Sequence, residues 1–372
     1  MKSAVESIVH KSSEEIARRL KPVGLEPLPH HPLASVLIAN YNYAQYVGEA
    51  IESVLNQSYG NLEVIICDDG STDASCDVIS RYIRKDSRVK LLRKENGGQA
   101  SALNAAYASA QGELICLLDS DDTFHRLKLE KVLAAFSRNP DSGLCVHRLL
   151  GVSKLGKPIS SPMPRLLYKG WLAPAALKRG GFLPLAFTCT LNFRKAIADQ
   201  LFPIPAELRF FVDPFLTAQA VFLTPIVTIP DSLALYRLHG EGVAELTAPS
   251  ASWMTRQADA FLRIFELQKD FVAKLFGQDV AGRLHLEEDV AYWDSLLAAY
   301  ILQGKPSNGI RGLSADRIIC HLPPSRTRHL WRLMLCLPSP VARRVFLLWR
   351  VQSPFRRFLS SRLAPLGERV EA

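Results

Sequence analysis

Short apolar runs alternate with amphipathic stretches through the first third of the chain, and each run stops at a polar cluster. Ser35-Val36-Leu37-Ile38-Ala39 ends in Asn40-Tyr41-Asn42-Tyr43, and Leu62-Glu63-Val64-Ile65-Ile66-Cys67 ends in Asp68-Asp69-Gly70-Ser71-Thr72-Asp73. Leu114-Ile115-Cys116-Leu117-Leu118 ends in Asp119-Ser120-Asp121-Asp122, and Val89-Lys90-Leu91-Leu92 is a shorter run of the same kind. Runs this short and this apolar predict strands buried on both faces. Between them, Val47, Ala50, Ile51, Val54 and Leu55, then Val78, Ile79 and Ile83, then residues 100–110, carry helical spacing. Strand–helix units of roughly 25 residues predict a mostly parallel, Rossmann-like α/β sheet flanked by helices. Such sheets bind ligands beyond the C-terminal ends of their strands, where all three polar clusters fall.

Further along, the pattern predicts a helix over 127–136, a strand over 145–151, and a Pro/Lys/Ser-rich loop to 169. Apolar runs at 220–229 and 232–240 close this region, and from about residue 250 long helices follow at 254–276 and 284–302. Their stripes, Phe261, Ile264, Phe265 and Leu267, then Val290, Trp293, Leu296 and Leu297, read as core packing. The expected division is an N-terminal helix and linker at 1–33, an α/β domain at 34–245, a helical extension at 246–323 and a tail at 324–372.

Charge changes this picture only at the tail. Of the net +9, the tail carries +8, from ten arginines and two glutamates with no lysine. Arginines mixed with Leu, Val, Phe and Trp, with Val341, Val345, Leu348 and Trp349 on one helical face, predict a helix lying on an anionic membrane surface. Nucleic-acid binding is disfavoured by the missing lysines and the high apolar content, and packing of the tail on the body stays open. The seven cysteines include no C-x-x-C pair, which points to a reducing compartment and away from a zinc site. No N-terminal signal-like core and no run of about 18 apolar residues is present. A cytoplasmic protein, peripheral at the inner face of the cell membrane, is the expectation. No G-x-G-x-x-G and no G-K-[ST] loop occurs, so dehydrogenase and P-loop chemistry lack support.

Three carboxylates within Asp119–Asp122 repel one another unless a positive charge sits among them. A divalent cation bridging to a phosphorylated ligand is one answer, since Mg2+ and Mn2+ favour carboxylate oxygen and keep positions for phosphate. The other is a solvated acidic turn capping a helix at Thr123. The motifs S-V-L-I-A-N-Y-N-Y, A-I-E-S-V-L-N-Q-S-Y, V-I-I-C-D-D-G-S-T-D, N-G-G-Q-A-S-A-L-N-A-A and L-I-C-L-L-D-S-D-D together favour the first. In this order, over about residues 34–135, they resemble the nucleotide-sugar half of a family 2 inverting glycosyltransferase with a GT-A fold.

The resemblance implies that Asn40, Tyr41 and Asn42 lie against base and ribose, and that Asp69, with Asp68 beside it, accepts a uracil-type N–H. It implies Gln99 in the nucleotide pocket, Asp119 and Ser120 near the ribose, and Asp121 on the metal, Mg2+ or Mn2+, that holds the diphosphate. Ala39 and Asn40 stand where the family usually has Pro then Thr or Ser. Arg194 reads as a phosphate neutraliser or a solvated charge. Asp213, among aromatics and before Pro214, reads as a helix cap or, by resemblance, as the general base. The family often has two adjacent acids there, whereas this chain has Val212 first. Tyr236-Arg237-Leu238-His239-Gly240 is similar to the family's closing segment, in which His239 approaches the metal or diphosphate.

The implied reaction is metal-assisted single displacement from a nucleotide-diphosphate sugar, of UDP type, to a hydroxyl of a glycan or polyprenyl-linked acceptor. The chain lacks a Q-x-x-R-W segment and membrane spans, so one sugar per encounter is expected. The rivals are a catalytically inactive nucleotide-sugar- or membrane-binding relative, and a sugar nucleotidyltransferase, which would need a Gly/Lys-rich activating loop.

Overall fold

The structure is a computed structural model, and it describes residues 15–16, 18–181, 183, 187–239, 250–322 and 326–351. The chain forms two compact units, one of residues 1–176 and 183–239, the other of 177–182 and 240–372.

In the first unit, strands β1 (Ala34–Asn40), β2 (Leu62–Asp68), β3 (Val89–Arg93) and β4 (Leu114–Asp119) pair in parallel, in the order β3-β2-β1-β4. Every residue of β2 is buried, and β1 and β4 are buried along nearly their whole length, as strands covered on both faces must be. Helices α1 (Val47–Leu55), α2 (Ser75–Ile83) and α3 (Gln99–Ala108) make the crossovers. α1 turns Val47, Ala50, Ile51 and Val54 into the core, each larger side chain contributing about 1.5–3 kcal/mol by leaving water. The register is what builds a site: Asn40 lies opposite Asp68, and Ala39 opposite Asp119. Three polar clusters, far apart in sequence, thereby reach one sheet edge.

The rest of the sheet is mixed. β7 (Leu191–Arg194) runs antiparallel to both β4 and β6 (Leu144–Ser153), β8 (Ile226–Leu238) runs parallel to β6, and β5 (Thr123–Phe124) closes the edge antiparallel to β8. The two apolar runs expected at 220–229 and 232–240 are not separate elements: the first starts on the last residue of helix α6 (Val212–Ala220) and passes through a turn into β8, which continues through the second to Leu238. Pro230 and Asp231 are stepped over where the register passes from His147–Ile229 to Arg148–Ser232, a bulge that accommodates a proline without an N–H to give. Thr123 lies in β5, and the next helix, α4 (Lys128–Arg138), starts five residues later. Helix α5 (Lys195–Leu201) follows β7 directly.

Arg194 fits neither of its expected roles. It is buried, and its guanidinium donates to the carbonyls of Pro140, at 2.6 Å, and Glu26, fastening the N-terminal segment to the sheet.

The second unit is helical. α7 (Ala251–Phe276) and α8 (Val290–Leu302) begin at side-chain caps, Ser250 accepting from the Trp253 N–H and Asp289 from those of Ala291 and Tyr292. They share a core with α9 (Ala315–Cys320), α10 (Arg326–Cys336) and α11 (Ser339–Val351), including Phe261, Leu296, Trp331 and Phe346. The described part of the tail thus packs on its own unit, with Ala342 and Phe346 fully buried and Val345 and Trp349 against the cluster. Val341 and Leu348, expected on the same apolar face, stay 46% and 47% exposed. Residues 352–372 and the amphipathic positions Ile8 and Val9 lie outside the described residues, whereas Ile16 and Leu20 are buried. Among the described residues no helix is long and apolar enough to cross a membrane.

Candidate active site

The loops after β1 and β2 are tied together by asparagine. Asn40 Nδ2 donates to Asp68 Oδ2 at 2.8 Å and Ser71 Oγ at 3.2 Å. Asn42 takes a left-handed backbone, φ 56°, which asparagine tolerates. Its Oδ1 accepts the Thr72 N–H at 2.8 Å, and its own N–H donates to Ser71 Oγ at 2.8 Å. Tyr41 between them is 46% exposed, so its ring is on the surface. Asp68, Ser71, Arg93, Lys94 and Asn96 line a cavity of 440 Å³ beside these loops.

Asp69 is engaged by protein donors. Its carboxylate accepts from Lys94 Nζ at 2.7 Å, the Gly97 N–H at 2.9 Å and the Gly98 N–H at 2.6 Å. Those donors occupy most of its acceptor capacity and build the turn into α3. Successive side chains point to opposite sides of an extended chain, so of the two adjacent acids it is Asp68 that borders the cavity. The same turn aims Gln99, whose Nε2 donates to Asp119 Oδ1 at 2.6 Å.

The β4 end gathers the acids. Asp119 is pushed up to about 8 by burial first, then by the charges of Asp121 and Asp213. The Asp213 charge is thus near enough to act on Asp119, although 94 residues separate them in sequence. Asp213 sits in the first turn of α6, whose N-cap is Phe211, so its side chain does not cap the helix. Burial raises its carboxyl to about 7. Asp121 Oδ2 lies 3.0 Å from His239 Nε2, and the His239 ring stands 5.0 Å from that of Tyr46 and 5.6 Å from that of Tyr43. Ser120 Oγ is buried with no hydrogen-bond partner.

Cations of the protein itself partly answer the acidic cluster. Arg237, 7% exposed, donates its N–H to Asp122 Oδ1 at 2.9 Å and its Nε to the Asp121 carbonyl at 3.0 Å. Lys128 is fully buried, donates to the Cys189 carbonyl at 2.9 Å, and is lowered to about 8, chiefly by burial. Asp122 is held well above the usual carboxylate range by burial, then by Asp121 and Asp119. Its Oδ2 has no donor other than the Cys189 thiol facing it. Neither cation was singled out in the sequence. Arg237 left a signal, a charged residue inside an apolar closing strand. Lys128 left none, because a lysine in a first helical turn reads as solvated.

Among the described residues no three His, Cys, Asp or Glu side chains converge as a metal set. Asp121 and His239 nonetheless form a carboxylate–imidazole pair, a donor set that suits Mg2+ or Mn2+ when water and substrate phosphate fill the remaining positions. An acid-rich cluster at the C-terminal ends of parallel strands in a mixed sheet places this site where α/β proteins bind ligands.

The glycosyl transferase family 2 model matches residues 35–201. A glycosyltransferase of Nostoc sp. is 32% identical over 263 residues, covering 69% of this chain and 80% of the relative. Chondroitin synthase of Pasteurella multocida is 40% identical over 138 residues, 37% of this chain but 14% of that protein. Among solved structures, a mannosyltransferase from Pyrobaculum calidifontis in complex with GDP-Man and Mn2+ aligns over 94% of this chain and 96% of its own, at 19% identity and a TM-score of 0.48. The chain belongs to glycosyltransferase family 2, and it is an enzyme, a glycosyltransferase.

Proposed function

We propose that the protein transfers a sugar from a nucleotide-diphosphate sugar, of UDP type, to a hydroxyl of a glycan or polyprenyl-linked acceptor, with inversion at the anomeric carbon. The observation that carries this is Asp213: a carboxyl buried at the start of α6, raised to about 7, whose charge acts on Asp119 at the end of β4. A base needs a pKa near the working pH, because it must be ionised yet hold a proton well.

In this reading the nucleoside lies along Asn40, Tyr41, Asn42 and Asp68, with Gln99, Asp119 and Ser120 toward the ribose. Asp69 acts behind them by holding the Gly97–Gly98 turn. Asp213 takes the acceptor's proton as the acceptor oxygen bonds to the anomeric carbon and the bond to the diphosphate breaks on the opposite side. One base and one displacement invert the centre. Asp121 and His239 would hold a divalent cation, which when bound offsets the charge of the departing diphosphate. Arg237 and Lys128 keep the acids around that pair in place. We further infer that the tail lays the enzyme on an anionic membrane surface, where a lipid-linked acceptor would be found.

Asp213→Asn tests the core of the reading. Transfer should fall by about 10²–10⁴ while UDP binding, measured by calorimetry, stays within about twofold. Undiminished turnover removes Asp213 as the base.

A further inference from the structure

We infer that Arg237 is the positioning residue that sets the Asp121–His239 pair for a cation-bound diphosphate, an inference that rests on the reading of that pair given above. Three separate parts of the first unit meet on this one side chain. Nε donates to the Asp121 carbonyl at 3.0 Å, Nη1 to the Lys154 carbonyl at 3.0 Å, and Nη2 pairs with Glu49 of α1. The Arg237 N–H holds Asp122 Oδ1 at 2.9 Å. Its guanidinium carbon lies 5.0 Å from the centre of the Tyr46 ring, which in turn lies 5.0 Å from the His239 ring and 6.0 Å from that of Tyr43.

Arg237 also stands two residues before His239 in the same chain segment. It therefore fixes both members of the pair from one place, Asp121 through its own carbonyl and His239 through β8 and the Tyr46 ring. Nε, Nη1 and Nη2 are each engaged by a protein group, so the guanidinium is placed to act through Asp121 and His239. A planar fork with several fixed donors is needed for this. A lysine in the same place supplies the charge but a single point of contact.

The consequence is specific. Loss of the fork should loosen the cation-dependent part of nucleotide binding and leave the nucleoside part untouched, because Asn40, Asn42 and Asp68 are held by their own bonds. Calorimetry of UDP binding with and without Mn2+ on the full chain separates the two. In Arg237→Lys, metal-free UDP affinity should stay within about twofold of the unsubstituted protein, while the gain brought by Mn2+ shrinks at least tenfold. Glu49→Gln, which removes only the outer ion pair on a largely exposed carboxylate, should shrink the gain in the same direction by less. An undiminished gain in Arg237→Lys overturns the inference. So does an equal loss of both affinities together with a lowered thermal transition, which marks a purely structural arginine. Absence of any Mn2+ gain in the unsubstituted protein would instead overturn the reading of Asp121 and His239 itself.

Discussion

At the scale of single residues, burial has set the ionisation of Asp213, and pH exposes it in two ways. Its carboxyl titrates at about 7 in the folded protein, against an ordinary value of 3.8. A base must be ionised, so activity should be lost as pH falls through about 7, with a single-proton limb in kcat/KM. Stability runs the other way. Between the two values the folded state holds a proton that the unfolded chain has released, so stability declines as pH rises across that window. Asp213→Asn, which cannot ionise, should therefore melt several degrees higher than the unsubstituted protein at pH 8 and show no such advantage at pH 4. Thermal melts of both proteins at the two pH values check the sign.

At the scale of elements, the Gly97–Gly98 turn links the donor side to the segment that leads to Asp213, the proposed base. Gly98 has φ 90°, and a Cβ there would lie 2.9 Å from Arg209 Cβ and 3.1 Å from the Arg209 carbonyl oxygen. That carbonyl accepts the Ala100 N–H, and Arg209 Nη2 donates to Asn96 Oδ1 at 2.7 Å, four residues before Asp213. Gly98→Ala should cost about 1–2 kcal/mol in backbone strain and displace the base segment. Its kcat should drop at least tenfold in steady-state assays, with a smaller change in UDP affinity. None of this linkage could be read from the sequence. The strands β1, β2 and β4 were legible because burial on both faces leaves an uninterrupted apolar run, and their polar ends located Asn40, Asp68, Asp119 and Asp121 without any contact being known. β5 and β7, two and four residues long, are too short to carry a period, and their partners lie far along the chain. Which way Asp68 and Asp69 each face depends on Lys94 and the Gly97–Gly98 amides, so it is settled by tertiary contacts alone. The same holds for the buried Arg194, whose partners are backbone carbonyls that no sequence pattern marks.

At the scale of the whole molecule, the packing of the tail and its proposed membrane contact separate experimentally. Trp331 and Phe346 anchor α10 and α11 in the second unit's core with their rings 5.7 Å apart, and Trp331 Nε1 donates to Asp294 at 3.0 Å. Trp331→Ala should therefore destabilise that unit by about 3–5 kcal/mol, read by urea unfolding. The outward side of α11 is different: Val341 and Leu348 are exposed, as are Arg343 and Arg344, and residues 326–351 contain six arginines and no acid. A surface of this composition gains about 1 kcal/mol for each basic residue near anionic lipid. Replacing Arg343 and Arg344 by glutamine should then weaken binding by about thirtyfold, since 1.4 kcal/mol is a factor of ten. The core contacts of Trp331 and Phe346 are untouched by that change, so the melting behaviour should not move. Flotation with phosphatidylglycerol-rich vesicles measures the partition, and neutral phosphatidylcholine vesicles are the control. Raising the salt to about 1 M, where charges are screened beyond about 3 Å, should release the unsubstituted protein as the double substitution does at low salt. Equal recovery of both proteins on both vesicle types would leave the arginines of α11 as solvated charge on a packed helix, and the acceptor would have to be sought away from a lipid surface.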